Sequence, residues 1–227
     1  MLKRKYFSLL VIIFIFILLY TQLVSAKPFD LMGEIITIDP GHGGRDSGTL
    51  YGDTLEKDLN LEISRHLETE LTKNGAITYM TRSSDIDLSS IYDSRKKRGD
   101  LYRRILAIKE NKSSLYLSIH INWYHNTKYK GAEVLYNPIN KNNEILAKEI
   151  MNAFKEDLKS TRNIKQTDLY MYKNTTVPGV LIECGYLSNP YERNLLSQSE
   201  YQKKIAESIT KGVKSYIKKI NKDKYVL

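Results

Sequence analysis

Four short stretches of this 227-residue chain hold residue types that could do chemistry together. His42 lies among glycines in "TIDPGHGGRDSG", Glu56 opens the run "EKDLNLEISRHL", His120 ends "LYLSIH", and Glu183 ends "PGVLIE". Zinc accepts neutral imidazole and carboxylate. A catalytic zinc site takes three protein ligands and keeps a fourth position for water, and two histidines with one glutamate are a known set. The metal lowers the pKa of that water to roughly 7, and a carboxylate that is not a ligand can take its proton during attack on a carbonyl. On this reading His42, Glu56 and His120 bind zinc and Glu183 is the general base. Gly41, Gly43 and Gly44 let the backbone turn sharply and leave room for a bulky substrate.

Each residue also has a plainer explanation. A histidine at a strand end is often only hydrogen-bonded, and a glutamate at a helix start is favoured by the helix dipole. Glu183 is harder to set aside, because an acid ending an apolar run must be buried or paired, and buried acids mark sites. His66, one helical turn from Glu62, and His125, after "NWY", are read as structural, with His125 the spare ligand of the two. Cys184 follows Glu183 on the same strand, so it faces the other way and packs as a core thiol.

Other uses of the glycine loop lack parts. A phosphate loop needs Lys followed by Ser or Thr after its glycines, where this chain offers only Arg45. An oxyanion loop needs a G-x-S-x-G nucleophile elbow, and the sequence contains none.

The elements that must position these residues follow from periodicity. Short apolar runs predict strands at Ile35–Asp39, Ala76–Thr81, Leu115–Ile119, Ala132–Tyr136 and Gly179–Glu183. Leu59, Ile63, Leu67 and Leu71 recur every four residues, which predicts a helix from Glu56 to the "KNG" stop; similar stripes predict helices at Ile145–Leu158 and Tyr201–Ile220. Strands alternating with helices indicate an α/β domain, with a mainly parallel sheet covered on both faces. Ligands of such sheets bind beyond the carboxyl ends of the strands, and that is where His42, His120 and Glu183 fall.

Composition bounds the setting. The chain is 41% hydrophobic and 27% charged, a globular balance with one ordinary domain as its length implies. Lys3, Arg4 and Lys5, then "FSLLVIIFIFILLY", then "VSA" form the pattern of a secretory signal peptide over residues 1–26. The alternative is an uncleaved anchor, since about 20 residues suffice for a membrane helix. Either way residues 27–227 form the working domain, outside the cytoplasm. Of the formal charge of +9, the leader's three cations account for three and leave +6, which suits a polyanionic wall or an anionic membrane face. Nucleic acid is not the expected partner, and the basic cluster "SRKKRGDLYRR" is read as a solvated face. Cys184 is the single cysteine, so no intrachain disulfide forms.

The motifs "DPGHGG", "EKDLNL", "MTRSSD", "SIHIN" and "VLIECGYLSNP", in that order and spacing, resemble the zinc-dependent N-acetylmuramoyl-L-alanine amidases of the amidase type 3 group. The resemblance covers residues 34 to 220. It implies peptidoglycan as substrate and hydrolysis of the amide between N-acetylmuramic acid and the L-alanine of the stem peptide, with His42, Glu56 and His120 as zinc ligands and Glu183 as catalytic glutamate. The chain departs from the family pattern at "AIKENK" before the "SIH" strand and at Ile121 and Trp123 after it, changes that bear on the substrate groove. Asn122 and Trp123 are the substrate-binding candidates, because sugar rings stack on aromatic faces.

A bare catalytic domain without wall-binding repeats is similar to the germination-specific amidases of spore formers, whose reaction leads towards muramic-δ-lactam in the cortex. The alternatives are a vegetative autolysin or division amidase, a catalytically silent wall-binding domain, and a zinc carboxypeptidase or deacetylase. Some relatives carry an inhibitory helix between the second histidine motif and the catalytic glutamate, and no such insertion fits between His120 and Glu183. Targeting and control are therefore expected from a second protein, for which a membrane-tethered lipoprotein is the candidate.

Overall fold

Successive residues of a strand point to opposite sides, and in this protein that rule separates the apolar residues from the reactive ones. The computed structural model describes residues 6–7, 10–18 and 29–224. Its elements are β1 (Ile35–Pro40), a hairpin of β2 (Leu50–Tyr51) and β3 (Thr54–Leu55), α1 (Glu56–Lys73), β4 (Ile77–Met80), α2 (Lys96–Glu110) and β5 (Leu115–Asn122). They continue with β6 (Glu133–Tyr136), α3 (Lys141–Asp157), β7 (Lys165–Gln166), α4 (Tyr170–Lys173), β8 (Gly179–Tyr186), α5 (Pro190–Leu196) and α6 (Ser199–Lys224). The six-stranded sheet has the order β4-β1-β5-β8-β6-β7. Its pairs are parallel except β6 with β8, which run antiparallel.

One face is wholly apolar. Ile36 and Ile38 of β1, Leu117 and Ile119 of β5, and Val180 and Ile182 of β8 pack under α1, α3 and α6. The predicted stripe of Leu59, Ile63, Leu67 and Leu71 is the buried side of α1. Helix α3 starts at Asn140, whose side chain accepts from Asn142 N at 2.9 Å. Helix α5 starts at Asn189 with Pro190 at its first position, the usual chemistry of helix starts. Cys184 is fully buried in this same core, on the side of β8 opposite Glu183.

The second face is covered more thinly, by α2 and α4. A smaller cluster of Ile105, Ile108, Tyr116 and Met171 fills it, with Leu181 against its edge. The segment "SRKKRGDLYRR" is solvated as expected except at its last residue: it runs into helix α2, and Arg104 is 2% exposed. Charge density obscured the one position that turns inward. Strands β5 and β8 also run past their predicted ends, to Asn122 and Tyr186. In the leader, described residues 10–18 are helical, while the expected cleavage segment around residues 24–27 lies outside the described residues. Among the described residues no helix is long and apolar enough to cross a membrane.

Phe154 of α3 is fully buried in the main core, so Phe154→Ala removes a large apolar contact and leaves a cavity. The expected loss is about 3–5 kcal/mol. In urea unfolding it appears as a lower midpoint with an unchanged slope; an unchanged midpoint would mean that this layer does not carry the fold.

Candidate metal centre

The polar face of the sheet is where the candidate residues gather. Thr37 and Asp39 of β1, and Ser118 and His120 of β5, alternate with the core residues on the same strands. His120 is register-paired with Glu183 on β8, and Glu183 with Glu133 on β6. One row thus carries a histidine and two acids across three strands, and equal register puts their side chains on one side.

His42 and Glu56 arrive from outside the sheet. Glu56 Oε1 lies 3.2 Å from His42 Nε2 and 3.1 Å from His120 Nδ1. The two imidazoles meet edge to face with centroids 5.0 Å apart. One donor atom from each of the three residues lies within 4.8 Å of the others, which is compact enough to hold a metal ion. Glu56 is the first residue of α1 and 4% exposed, at the helix end that favours an anion. Thr49 N donates to its Oε2 at 2.8 Å, and Ile121 N and Asn60 Nδ2 donate to Oε1 at 3.2 and 3.3 Å. Burial alone would raise its carboxyl pKa, but hydrogen bonds and charge from His120 and His42 outweigh burial and hold it far below the usual range. Burial likewise pushes His42 down, and Glu56 and then Asp46 reverse the effect and raise it. Two imidazoles around one ionised carboxylate give the donor chemistry of a catalytic zinc site, so the residues present fit that metal.

Holding His42 there demands an unusual backbone. Its φ is +61°, a left-handed conformation that only a few per cent of non-glycine residues adopt. The carbonyls around the turn leave the sheet ladder buried and need donors. Two buried arginines supply them. Arg104 of α2 donates to Pro40 O at 2.7 Å and His42 O at 2.6 Å, and forms an ion pair with Asp39 at 2.7 Å. Arg82 donates to Pro40 O at 3.0 Å, Gly41 O at 2.9 Å and Lys57 O at 2.8 Å. Asp39 also accepts from Thr81 at 2.6 Å and Ser118 at 2.8 Å. Burial would raise the Asp39 carboxyl, but the Arg104 charge and these hydrogen bonds keep it below its ordinary value. Gly41 has a different purpose from the one expected: a Cβ there would overlap the His120 ring, so the space it frees is taken by a candidate ligand rather than by substrate.

Glu183 stands beside the cluster in the opposite electrostatic condition. Its Oε2 is buried with no hydrogen-bond partner. Burial first, then the charges of Glu56 and Glu133, raise its pKa well above the usual range. Glu133, buried behind it, accepts from Asn122 Nδ2 at 2.9 Å and from the Tyr186 hydroxyl at 2.6 Å. A cleft of about 510 Å³ opens over the group and is lined by His42, Asp46, Glu56, Asn122, Trp123 and Glu183 among others. Trp123 is 50% exposed. Asn122 Oδ1 accepts from Trp123 N at 2.8 Å, which ties the tryptophan's backbone to the strand end.

The fold therefore brings together every sequence-selected residue. His66 and His125 stay outside the metal group, His66 3.3 Å from Ser199 Oγ and His125 tilted against the Tyr124 ring with centroids 4.1 Å apart. The sequence reading passed over Arg82, Arg104, Glu133 and Asp46. Glu133 carried the same signal that marked Glu183, an acid inside an apolar strand, in "GAEVLY". Asp46, whose Oδ1 lies 3.0 Å from His42 Nδ1, had only its spacing of four residues from His42 to mark it.

A family profile described as N-acetylmuramoyl-L-alanine amidase matches residues 36–215. A germination-specific N-acetylmuramoyl-L-alanine amidase of Bacillus subtilis is 40% identical over 225 residues, covering 94% of this chain and 95% of its own length. Among solved structures, the CwlD amidase from Clostridioides difficile, in complex with the GerS lipoprotein, superposes with a TM-score of 0.78 at 33% identity. That match covers 82% of this chain and 99% of that one. The catalytic domain of CwlV, an N-acetylmuramoyl-L-alanine amidase from Bacillus (Paenibacillus) polymyxa, superposes with a TM-score of 0.71 at 27% identity, over 82% of this chain and 98% of that one.

Three expectations test how the centre is held. Arg104→Met leaves Asp39 charged and unpaired in the interior, and should cost about 3–5 kcal/mol in urea unfolding. Because the Asp39 pKa is depressed in the fold, its contribution is complete above the ordinary value of 3.8 and is lost as pH falls through the lower folded value. Wild-type stability should therefore decline below about pH 4, with less decline in Asp39→Asn. Gly41→Ala should displace the His120 ring and weaken zinc binding on the order of 10–100-fold, measured by competition with a chelator, while the fold is kept. Unaltered zinc affinity would show that the ring has room to move.

Proposed function

Because this chain belongs to the N-acetylmuramoyl-L-alanine amidase family, we propose that it cleaves the amide between N-acetylmuramic acid and L-alanine in peptidoglycan, with zinc held by His42, Glu56 and His120. The observation that carries this reading is the convergence of those three donors beside a second acid, Glu183, whose buried carboxyl is pushed well above the usual range. Zinc, when bound, supplies a Lewis acid that polarises a carbonyl and makes water acidic enough to attack near neutral pH.

The chain's own residues do the rest. Glu183 removes a proton from water as its oxygen bonds to the lactyl carbonyl carbon. The same carboxyl then gives that proton to the departing nitrogen as the C–N bond breaks, leaving a lactyl carboxylate and a free L-alanine amine. The enclosure of Glu183, whose Oε2 is buried without a donor, favours a carboxyl that holds a proton between these steps. Asp46, whose Oδ1 lies 3.0 Å from His42 Nδ1, is the acid placed to support that ring when His42 ligates a metal. Trp123, exposed at the cleft, offers a face for a sugar ring, and Asn122 fixes its backbone.

The spore cortex is the setting favoured by 40% identity, over nearly the full length of both chains, to an amidase named germination-specific. Export by a leader over residues 1–26 accords with a wall substrate. A lipoprotein partner is supported by the solved relative bound to one.

The roles separate in three variants. His42→Ala and His120→Ala should lose zinc and activity together. Glu183→Gln should retain zinc and lose about 10²–10⁴-fold in turnover. Metal analysis and mass spectrometry of digested peptidoglycan check both, the expected product being muramic acid free of stem peptide. A Gln variant that empties the site would make Glu183 a ligand, and release of D-alanine alone would make the enzyme a carboxypeptidase.

A further inference from the structure

The cleft over the metal group has the carboxyl groups of Asp46, Glu56 and Glu183 in its lining. Lys97 is the only lysine or arginine among the described residues that line it. It is the second residue of α2, its side chain is 75% exposed, and its Nζ lies 3.6 Å from Asp46 Oδ2, beyond hydrogen-bond length. The neighbouring cations are engaged. Arg45 donates to Asp87 at 3.1 Å and Ser89 at 2.8 Å, and Lys96 Nζ donates to the carbonyls of Ser90 and Ile91 at 2.7 and 2.8 Å.

Lys97 also lines two adjoining cavities to which Trp123 does not belong. One, of about 370 Å³, is bounded by Arg45, Lys96 and Asp100. The other, of about 190 Å³, reaches the candidate ligands His42 and His120 and is walled by the apolar side chains of Leu101, Met171 and Leu181. The first turn of α2 contains no acid, and Lys96, Lys97 and Arg98 together oppose the helix dipole. Helix stability is thus given up where a cation faces the cleft.

We propose that Lys97 is the carboxylate anchor for the stem peptide, an inference that rests on the amidase reading. In the substrate, the residue after L-alanine is a glutamate linked onward through its side chain, so its α-carboxylate is free unless the wall carries it as a carboxamide. Glu56 is engaged by the two imidazoles, so Asp46 is the exposed acid that an incoming anion meets beside the cleft, and Lys97 is available to offset it because its pairing with Asp46 is loose. The peptide then lies on the α2 side, with the L-alanine methyl towards the small apolar cavity, and the glycan takes the Trp123 side. Lys97 sets specificity for the charge of the leaving peptide without touching the scissile bond.

The test compares two muropeptides identical except that this position is carboxylate in one and carboxamide in the other, using the zinc-loaded exported domain. Wild type should favour the carboxylate by about fivefold in kcat/KM, the size an exposed ion pair supports. Lys97→Gln should bring the ratio near one by raising KM for the carboxylate substrate while kcat and zinc content stay unchanged; Lys97→Arg should restore the preference. Equal loss on both substrates, or no preference in wild type, overturns the anchor. Failure of wild type to cleave either overturns the amidase reading itself, and the anchor with it.

Discussion

The ion pair between Asp39 and Arg104 is the constraint on which the rest of the site depends. Both groups are almost fully enclosed, at 1% and 2% exposure, and taking two charges out of water is costly unless every remaining hydrogen-bonding atom is used. Here they are. Asp39 accepts from Thr81 and Ser118 as well as from Arg104, while Arg104 extends to Pro40 O, His42 O and Asp100. The planar fork of a guanidinium reaches several acceptors at once, which a lysine ammonium on its flexible stem does not do in the same geometry. The pair therefore does more than neutralise charge. It provides donors to backbone that has left the sheet, and so makes the left-handed turn at His42 sustainable.

Helix α2 connects that interior to the cleft. Arg104 lies two turns along it and faces inward, whereas Lys97 lies at its start and faces the cleft. The loop before α2 adds to the same clasp: Asp85 accepts from Gly44 N at 2.8 Å and from Lys57 Nζ at 2.6 Å. Glycine loop, first helix and α2 are thereby held as one unit against the sheet. Its rigidity matters because the three candidate ligands come from three separate segments.

Two glutamates acquire opposite characters within this unit. Glu56, surrounded by imidazoles and backbone donors at a helix start, is held ionised. Glu183, with a buried oxygen lacking a donor and two acids nearby, favours its protonated form. A divalent cation at the cluster would draw Glu183 back towards ionisation, as is needed for it to accept a proton at neutral pH. Environments that drive two carboxyls apart are how one site assigns separate roles to identical side chains.

By itself the sequence determined the α/β class and the apolar stripes, and it singled out four candidate residues that the fold brings together. These are legible because burial imposes periods of two and about four on apolar positions, and because acids and histidines at the ends of apolar runs break the pattern. His120, Glu183 and Cys184 could even be assigned to faces, since strand alternation is local. Tertiary structure alone decided what holds the centre in place. Arg104 sits in a run of cations, and nothing local distinguishes the one that turns inward from those that face water; only Asp39, 65 residues away, selects it. Glu133 is joined to Glu183 by strand register across β6 and β8, which depends on how distant segments pair. Gly41 looked like open space for substrate until a ring from β5 was seen to fill it. Contacts between remote segments carry no period along the chain, and so they become legible only when the fold closes.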